Sequence, residues 1–502
     1  MKKTLAILLV LFFYPFALAQ QKDSLGIMYR TYISDDPLLS VLYENAFNIH
    51  PASMLVSPLP SISTAAIEGL YSDASRALVP ENGKGLLQGS FKANSFVRLS
   101  KTSSIDGGVQ YSRAVKKSIY LNETADYDLL YPYVLADTLG GDMQHESYNF
   151  NGSWTHLEND FIYSIDGLYK ATHEYRNIDP RPRDIASNLR IRGAIGCKKD
   201  NWSLLAYLGY RKYRQKQSVD FVSPIGANTT LFHATGLGHD YYRFRSTGVF
   251  ASTLYSGQGF QSGIIFDGLI KSGIDYEYLS ITRYLSNQND APITSLGINT
   301  LHSFVSYAPV EKIAMNINLD YCFRKGKENV IDCAVSGVYK NLLDLDMYSE
   351  HRFKGNLQVI YHNSDDTIRW SIKPDIGLYY SSENYIYPSS SKNHTLVFSG
   401  VEARLSTLRN DWLYDIRLSG LYAQSIKSKL NIYNMEEKIH KAYTDKYSVQ
   451  MGDYALAQIC ASAQRALSSE LALFIRLNVG RMSFGPENDF MNGCTLTLGI
   501  TY

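Results

Sequence analysis

The side chains able to do chemistry in this sequence are charged residues placed at every second position. The stretch "TIRWSIKPDIGLYY" sets Arg369, Lys373 and Asp375 between Ile368, Trp370, Ile372, Ile376 and Leu378. Further on, Glu402 and Arg404 share one phase, Asp415 and Arg417 alternate with Trp412, Ile416 and Leu418, and Arg476 interrupts "LALFIRLNVG". Arg190 and Arg192 share a face in "DIASNLRIRGAIGC". Period two marks a strand, because successive side chains point to opposite faces of a sheet. Each charged face therefore backs onto an oily one. Charges of both signs on such a face can line a water-filled passage, or they can pair into a network that fills an interior and offsets its own desolvation. Arg190 and Arg192 could attract an anion or pair with carboxylates on adjacent strands.

Other chemistries find little support. Neither His-Glu-x-x-His nor Gly-x-Ser-x-Gly occurs. His145-Glu146 and His173-Glu174 read as chance neighbours at or near loops. Cys197, Cys322, Cys333, Cys460 and Cys494 stand apart, with no Cys-x-x-Cys, so no metal, no cofactor and no disulfide framework is expected. Alternation puts Cys322 and Cys333 on opposite faces of one hairpin, which predicts free thiols. With 49 Lys+Arg against 48 Asp+Glu the net charge is +1, which leaves no footprint for nucleic acid.

The elements that must carry these faces begin after a distinct leader. "MKKTLAILLVLFFYPFALAQQ" has two lysines, a short apolar run and Ala17-Leu18-Ala19, which predicts a secretory signal peptide over residues 1–19. No cysteine comes directly after it to accept a lipid. Beyond it no apolar run reaches the roughly eighteen residues of a membrane helix. Residues 20–60 form a separate N-terminal periplasmic segment. Within it, "SDDPLLSVLYENAF" offers Ser34 or Asp35 as a cap and Pro37 in a first turn, which predicts a short helix. The segment either closes or lines the periplasmic mouth of the strand-rich remainder of the chain, or lies against it.

From about Ser61 to residue 502 the alternation recurs without a linker or a repeat of fixed period. Short polar turns (Lys198–Asn201, Arg324–Asn329, Asn363–Asp366, Thr407–Asp411, Ala466–Ser469) alternate with long connections (Tyr120–Asp142, His173–Asp184, Lys212–Tyr242, Ser381–Asn393, Ser425–Tyr447). Antiparallel strands would gather the long ones at one end, the asymmetry of outer-membrane barrels. The fold expected is all-β: a transmembrane antiparallel up-and-down β-barrel of roughly twenty strands, within about sixteen to twenty-two. In it Ile368, Trp370, Ile372, Ile376, Leu378, Trp412, Ile416 and Leu418 face lipid. Arg190, Arg192, Arg369, Lys373, Asp375, Glu402, Arg404, Asp415, Arg417 and Arg476 line the lumen. Pro374 cannot donate to a ladder and predicts a bulge. Loop tyrosines such as Tyr241, Tyr242, Tyr385 and Tyr387 suit an interfacial girdle, or a grip on a sugar or partner.

The last stretch, "NGCTLTLGITY", puts Leu498, Ile500 and Tyr502 on one face. It resembles the terminal strand signal of bacterial outer-membrane barrels, which the barrel assembly machinery reads. With the leader and the Tyr-rich strands, the whole chain resembles Bacteroidota outer-membrane β-barrel proteins that carry no assigned activity. That phylum also has barrels that serve secretion and gliding, and barrels that pass hydrophobic molecules; no motif here selects either. The resemblance implies the outer membrane of a Gram-negative cell after signal cleavage. Implied partners are outer-membrane lipid, the assembly machinery, and a TonB-dependent receptor or secretion components. The role implied is a channel, or the membrane partner of a surface uptake or secretion assembly, and not an enzyme. The alternatives are a barrel hydrolase with a surface-facing site and a soluble periplasmic binding protein, which would extract without detergent.

Overall fold

Alternating strands with one oily face need a backbone partner on each side, and a sheet that closes on itself supplies one to every strand. In a computed structural model of the protein, eighteen antiparallel strands run from Ile62–Ala74 to Asp489–Thr501. Each pairs with the next barrel strand along the chain, and the first pairs with the last, Ile67 opposite Leu498. The result is a closed up-and-down barrel, within the expected range. The structure describes residues 26–223, 229–245, 250–332, 339–365, 367–433, 436–485 and 488–502. The leader expected over 1–19 and Cys333 lie outside them; Cys197, Cys322, Cys460 and Cys494 are free thiols.

One end carries tight turns such as 159–160, 200–201 and 410–411. The other carries the long connections 120–140, 221–252 and 432–453. Several expected boundaries move. Arg324–Asn329 is no turn but lies inside the strand Ile313–Ile331, paired across to Glu350 and Asp344; the connection is 332–340, at the opposite end. His173–Asp184 and Ser381–Asn393 shrink to 176–180 and 386–389. The reason is strand length. Asn341–Ser364 has 24 residues, whereas a tilted strand crosses hydrocarbon in about 9–11. If the barrel spans a membrane as expected, the excess would stand beyond the hydrocarbon, where both faces can be polar and the oily alternation that reveals a strand disappears. His145 and Glu174 likewise sit in strands, Gly141–Glu158 and Phe161–Tyr175. Pro374 makes no bulge. Gln358 still pairs with Asp375 and Tyr361 with Ile372, so the register is unchanged while the ladder lapses between them, and Pro374 pairs with Val401 on its other side.

Inside the tight-turn end sit three helices: α1 (Ile27–Ser34), α2 (Pro37–Ile49) and α3 (Ser53–Val56). Residues Ser34 and Asp35 are taken by the end of α1, so the cap of α2 is Asp36, whose carboxylate accepts the Leu38 N–H at 2.8 Å. Pro37 then opens the helix, where its missing N–H costs nothing. Ile27 and Tyr32 pack on Leu413 and Ala472, Val41 on Ala314 and Ile360, and Ile49 on Leu205 and Phe304. The segment thus occupies the barrel mouth rather than lying against it.

At the loop end the long connections fold back over the lumen. They supply the one-turn helix α4 (Tyr127–Leu130), the helix α5 (Glu437–Gln450) and a small sheet of Val134–Ala136, Phe232–Gly236 and His239–Asp240. These pack with wall residues Tyr213, Tyr255, Leu279, Ile298 and Tyr348 into the largest apolar cluster of the described residues. On the outside, Ile368, Trp370, Ile372, Ile376, Leu378, Trp412, Ile416, Leu418, Leu498 and Ile500 are all exposed. No helix among the described residues is long and apolar enough to cross a membrane.

If this outer face sits in hydrocarbon, Leu418→Arg should cost about 2–4 kcal/mol of folding free energy in phospholipid vesicles, as arginine does near a bilayer midplane. Urea titration of vesicle-inserted protein measures it; a cost near zero would mean the face meets water.

Candidate functional site

The interior is the candidate site, because its polar groups converge there from every strand. Its tight-turn end is built around helix C-termini. The last carbonyls of a helix lack intrahelical partners and carry the negative end of its dipole. Here each helix end meets an inward arginine of the wall. Arg369 donates to the Tyr32 carbonyl in the last turn of α1 at 2.7 Å, lies 3.8 Å from the Tyr32 ring and 3.3 Å from the Asp36 carboxylate. Arg404 donates to the Asp35 carbonyl at 2.6 Å and to Asp415 at 2.5 Å. Arg192 donates to the Ile49 carbonyl that ends α2 at 2.5 Å and to Asp166 at 2.7 Å. Arg98 spans the end of α3, donating to the carbonyls of Leu55 at 2.8 Å, Ser57 at 2.6 Å and Leu59 at 2.9 Å.

His50, just past α2, completes this arrangement. Its Nδ1 accepts the Ala52 N–H at 3.2 Å and its Nε2 stands 3.0 Å from Asp166, with the ring tilted against that of Tyr207, centroids 5.0 Å apart. Burial pushes the His50 ring below its ordinary pKa; the Asp166 contact opposes this and the Arg192 charge adds to it. A neutral imidazole with one proton fits both contacts.

The loop end repeats the device. Arg324 donates to the carbonyls of Asp128 at 2.7 Å and Tyr131 at 2.9 Å, which flank the end of α4. Arg176, fully buried, joins Glu123 at 2.5 Å and Asp137 at 2.6 Å and so ties down the 120–140 connection. Lys446 of α5 reaches Glu81 at 2.6 Å between the rings of Tyr127, Tyr131, Tyr443 and Tyr447. Burial, reinforced by Glu81 and Glu383, holds those four hydroxyls well above the ordinary tyrosine range, so they remain donors. Burial and the Arg283 charge push His233 of the small sheet well below its ordinary value.

Between the two ends lie cavities. One of about 440 Å³ is lined by Leu129, Leu279, Ile298, Arg352, Lys354 and Tyr379 among others. A second, of about 150 Å³, borders α1 and brings Arg369, Arg404, Asp415 and Arg476 together. A third, of about 710 Å³, lies between α4, α5 and the first strands. Among the described residues no cluster of His, Cys, Asp and Glu could hold a metal ion.

The ten charged residues singled out by alternation fall into three groups. Lys373 and Glu402 pair at 3.2 Å and neutralise each other, and Asp375 accepts a hydrogen bond from the uncharged amide of Asn356 at 3.0 Å. Arg192, Arg369, Arg404 and Asp415 serve the helical segment. Arg190, Arg417 and Arg476 have no carboxylate partner among the described residues; Arg190 stands opposite Arg211, and Arg417 opposite Arg404. His145 and Glu174 meet at 2.8 Å, with Lys116 at 2.7 Å from the same carboxylate. Tyr502 exchanges backbone hydrogen bonds with Ser63 at the seam. Sequence reasoning missed Arg98, Arg324, Arg352 and Lys354. Arg98 in "FVRLS" had the right phase, but the carbonyls it holds leave no trace in side-chain patterns.

A family model described as "Family of unknown function (DUF6850)" matches residues 51–502. No curated protein matches the sequence. Among solved structures, BauA, the ferric preacinetobactin receptor from Acinetobacter baumannii, is 7% identical, with 88% of this chain and 80% of that chain covered and a TM-score of 0.42. The ferric citrate transporter FecA is 10% identical, covering 89% and 79%, with a TM-score of 0.38. The copper transporter OprC is 8% identical, covering 88% and 80%, with a TM-score of 0.37. Likeness this remote says nothing of function.

The His50 contacts make docking of the helical segment depend on pH. A histidine whose docked pKa is lowered takes up its proton more readily when undocked, so docking is strongest above the undocked value of about 6.5 and weakens as pH falls through it. Hydrogen exchange of the amides of residues 50–56 should therefore speed up between about pH 7.5 and pH 5 beyond its intrinsic pH trend. His50→Gln should flatten that excess. Equal profiles for the two proteins would remove His50 from the account.

Proposed function

For a chain that belongs to this family of unknown function, DUF6850, we propose a transport role in the outer membrane: a passage through the barrel lumen, closed at both ends in the present state. The oily outer face supports a lipid setting. The carrying observation is the way the ends are shut. No strand of the helical segment joins the sheet, and apart from one backbone contact, Ile27 N–H to the Ser469 carbonyl at 2.8 Å, the polar ties described above run through side chains. Such ties can be exchanged for water one by one, whereas a ladder must be broken as a unit. The segment can therefore withdraw from the mouth while the barrel stays intact. In this reading the tight turns face the periplasm and the capped end faces outward, where α5 and its neighbours meet cargo or a partner of an uptake or secretion assembly.

We favour a passage over a surface hydrolase because the two histidine–carboxylate pairs of the wall, His145 with Glu174 at 2.8 Å and His302 with Asp320 at 2.6 Å, hold no hydroxyl or thiol in hydrogen-bond contact with the imidazole among the described residues. Lipid and the barrel assembly machinery are the partners this role requires. The terminal strand with Leu498 and Ile500 outward suits recognition by that machinery.

Conductance in planar bilayers tests the proposal. Wild-type protein should be mostly closed with rare openings. Replacing Arg369 and Arg404 together by Met should raise the open probability at least about tenfold, equivalent to about 1.4 kcal/mol of lost closure. Silence from both proteins would reject a passage.

A further inference from the structure

We propose that the cavity of about 440 Å³ beneath α4 binds a small amphipathic anion, an apolar body with a carboxylate or phosphate head. The inference deepens the passage reading and rests on it, since a ligand must reach the lumen. One side of the cavity is apolar, with Leu129 of α4 above the wall residues Leu279 and Ile298. The other presents Arg352 and Lys354, two residues apart on the inward face of the strand Asn341–Ser364. Tyr379 stands across from Lys354 on the next strand.

The carboxylates around this cavity fall one short of its cations. Glu277 takes Arg211 and Gln261. Asp320 lies across from Lys354 in register and stands 2.6 Å from His302. Glu350 alone is left for two guanidinium groups, 3.2 Å from Arg352 Nε and 3.6 Å from Arg324 Nε, and neither nitrogen makes a hydrogen bond. Lys354 is exposed to the lumen with no carboxylate partner among the described residues; its ammonium stands 5.8 Å from the centre of the Phe398 ring. Four cations, Arg211, Arg324, Arg352 and Lys354, thus stand against three carboxylates, Glu277, Asp320 and Glu350, an excess of one positive charge. Positive charge left unneutralised in a partly desolvated cavity favours an anion. The apolar side asks that the rest of the ligand be oily, and the volume falls within the range of small-molecule pockets.

The probe pair is 2-naphthoate and its neutral isostere 2-naphthamide, titrated calorimetrically into the full chain in detergent against a detergent blank. Naphthoate should bind at least tenfold more tightly than naphthamide. Lys354→Met and Arg352→Gln should each weaken naphthoate about tenfold or more. Lys199→Met, at a tight turn where Lys199 pairs with Asp160, should leave it unchanged. Absent naphthoate binding, equal affinity for the two probes, or full affinity in Lys354→Met would overturn the site. The bilayer readout separates the failures: a barrel that conducts but ignores naphthoate keeps the passage and loses the site.

Discussion

Closure of the sheet governs everything inside it. Once the strand Ile62–Ala74 has paired with Asp489–Thr501, the wall has no sheet edge left to offer. Whatever enters the lumen cannot be held as an added strand, the usual way a sheet recruits a segment. It has to be held by side chains. The wall answers with arginine at both ends: Arg98, Arg192, Arg369 and Arg404 on the helical segment, Arg324 on the loops. A guanidinium offers several donors and stays charged at any working pH, so one residue can cap a helix and still pair with a wall carboxylate. Arg404 does both, with Asp35 on one side and Asp415 on the other.

The same constraint explains which parts of the molecule were legible in the sequence. The outer face was readable because one surrounding medium acts on every outward residue alike: Ile368, Trp370, Ile372, Ile376 and Leu378 are all oily and all exposed, and period two is the consequence. The inward phase of Arg369 or Asp415 was readable for the same reason, as the complement. The partners were not. Arg369 bonds a carbonyl more than three hundred residues away, and every residue type carries a carbonyl, so nothing at Tyr32 announces the contact. Strand ends failed on a related ground. Toward the loop end the outward face of Asn341–Ser364 no longer alternates, and the polar run 324–329 of its neighbour imitates a turn.

The lumen is neither a uniformly charged passage nor a self-neutralised filling. Lys373 with Glu402 behaves as the filling network would. Arg190 opposite Arg211, and Arg417 opposite Arg404, place like charges directly across the sheet, but Glu277 beside Arg211 and Asp415 beside Arg404 offset one member of each pair. What is left over is one guanidinium of each pair, Arg190 and Arg417, with no carboxylate partner among the described residues.

Two sorts of stability therefore coexist in one chain. The barrel is a single hydrogen-bonded ring in which each strand is secured on both sides, so its opening is cooperative and rare. The helical segment and the loop cap rest on separable contacts: small apolar patches such as Val41 on Ala314 and Ile360, and arginine ties of about 1.5–3 kcal/mol each. Undocking α1 exposes the guanidinium groups of Arg369 and Arg404 to water, which solvates them well, and frees carbonyls that water can also satisfy. The cost of leaving is thus far below the cost of unfolding. The gap between the two energies arises because the ring closed without the segment.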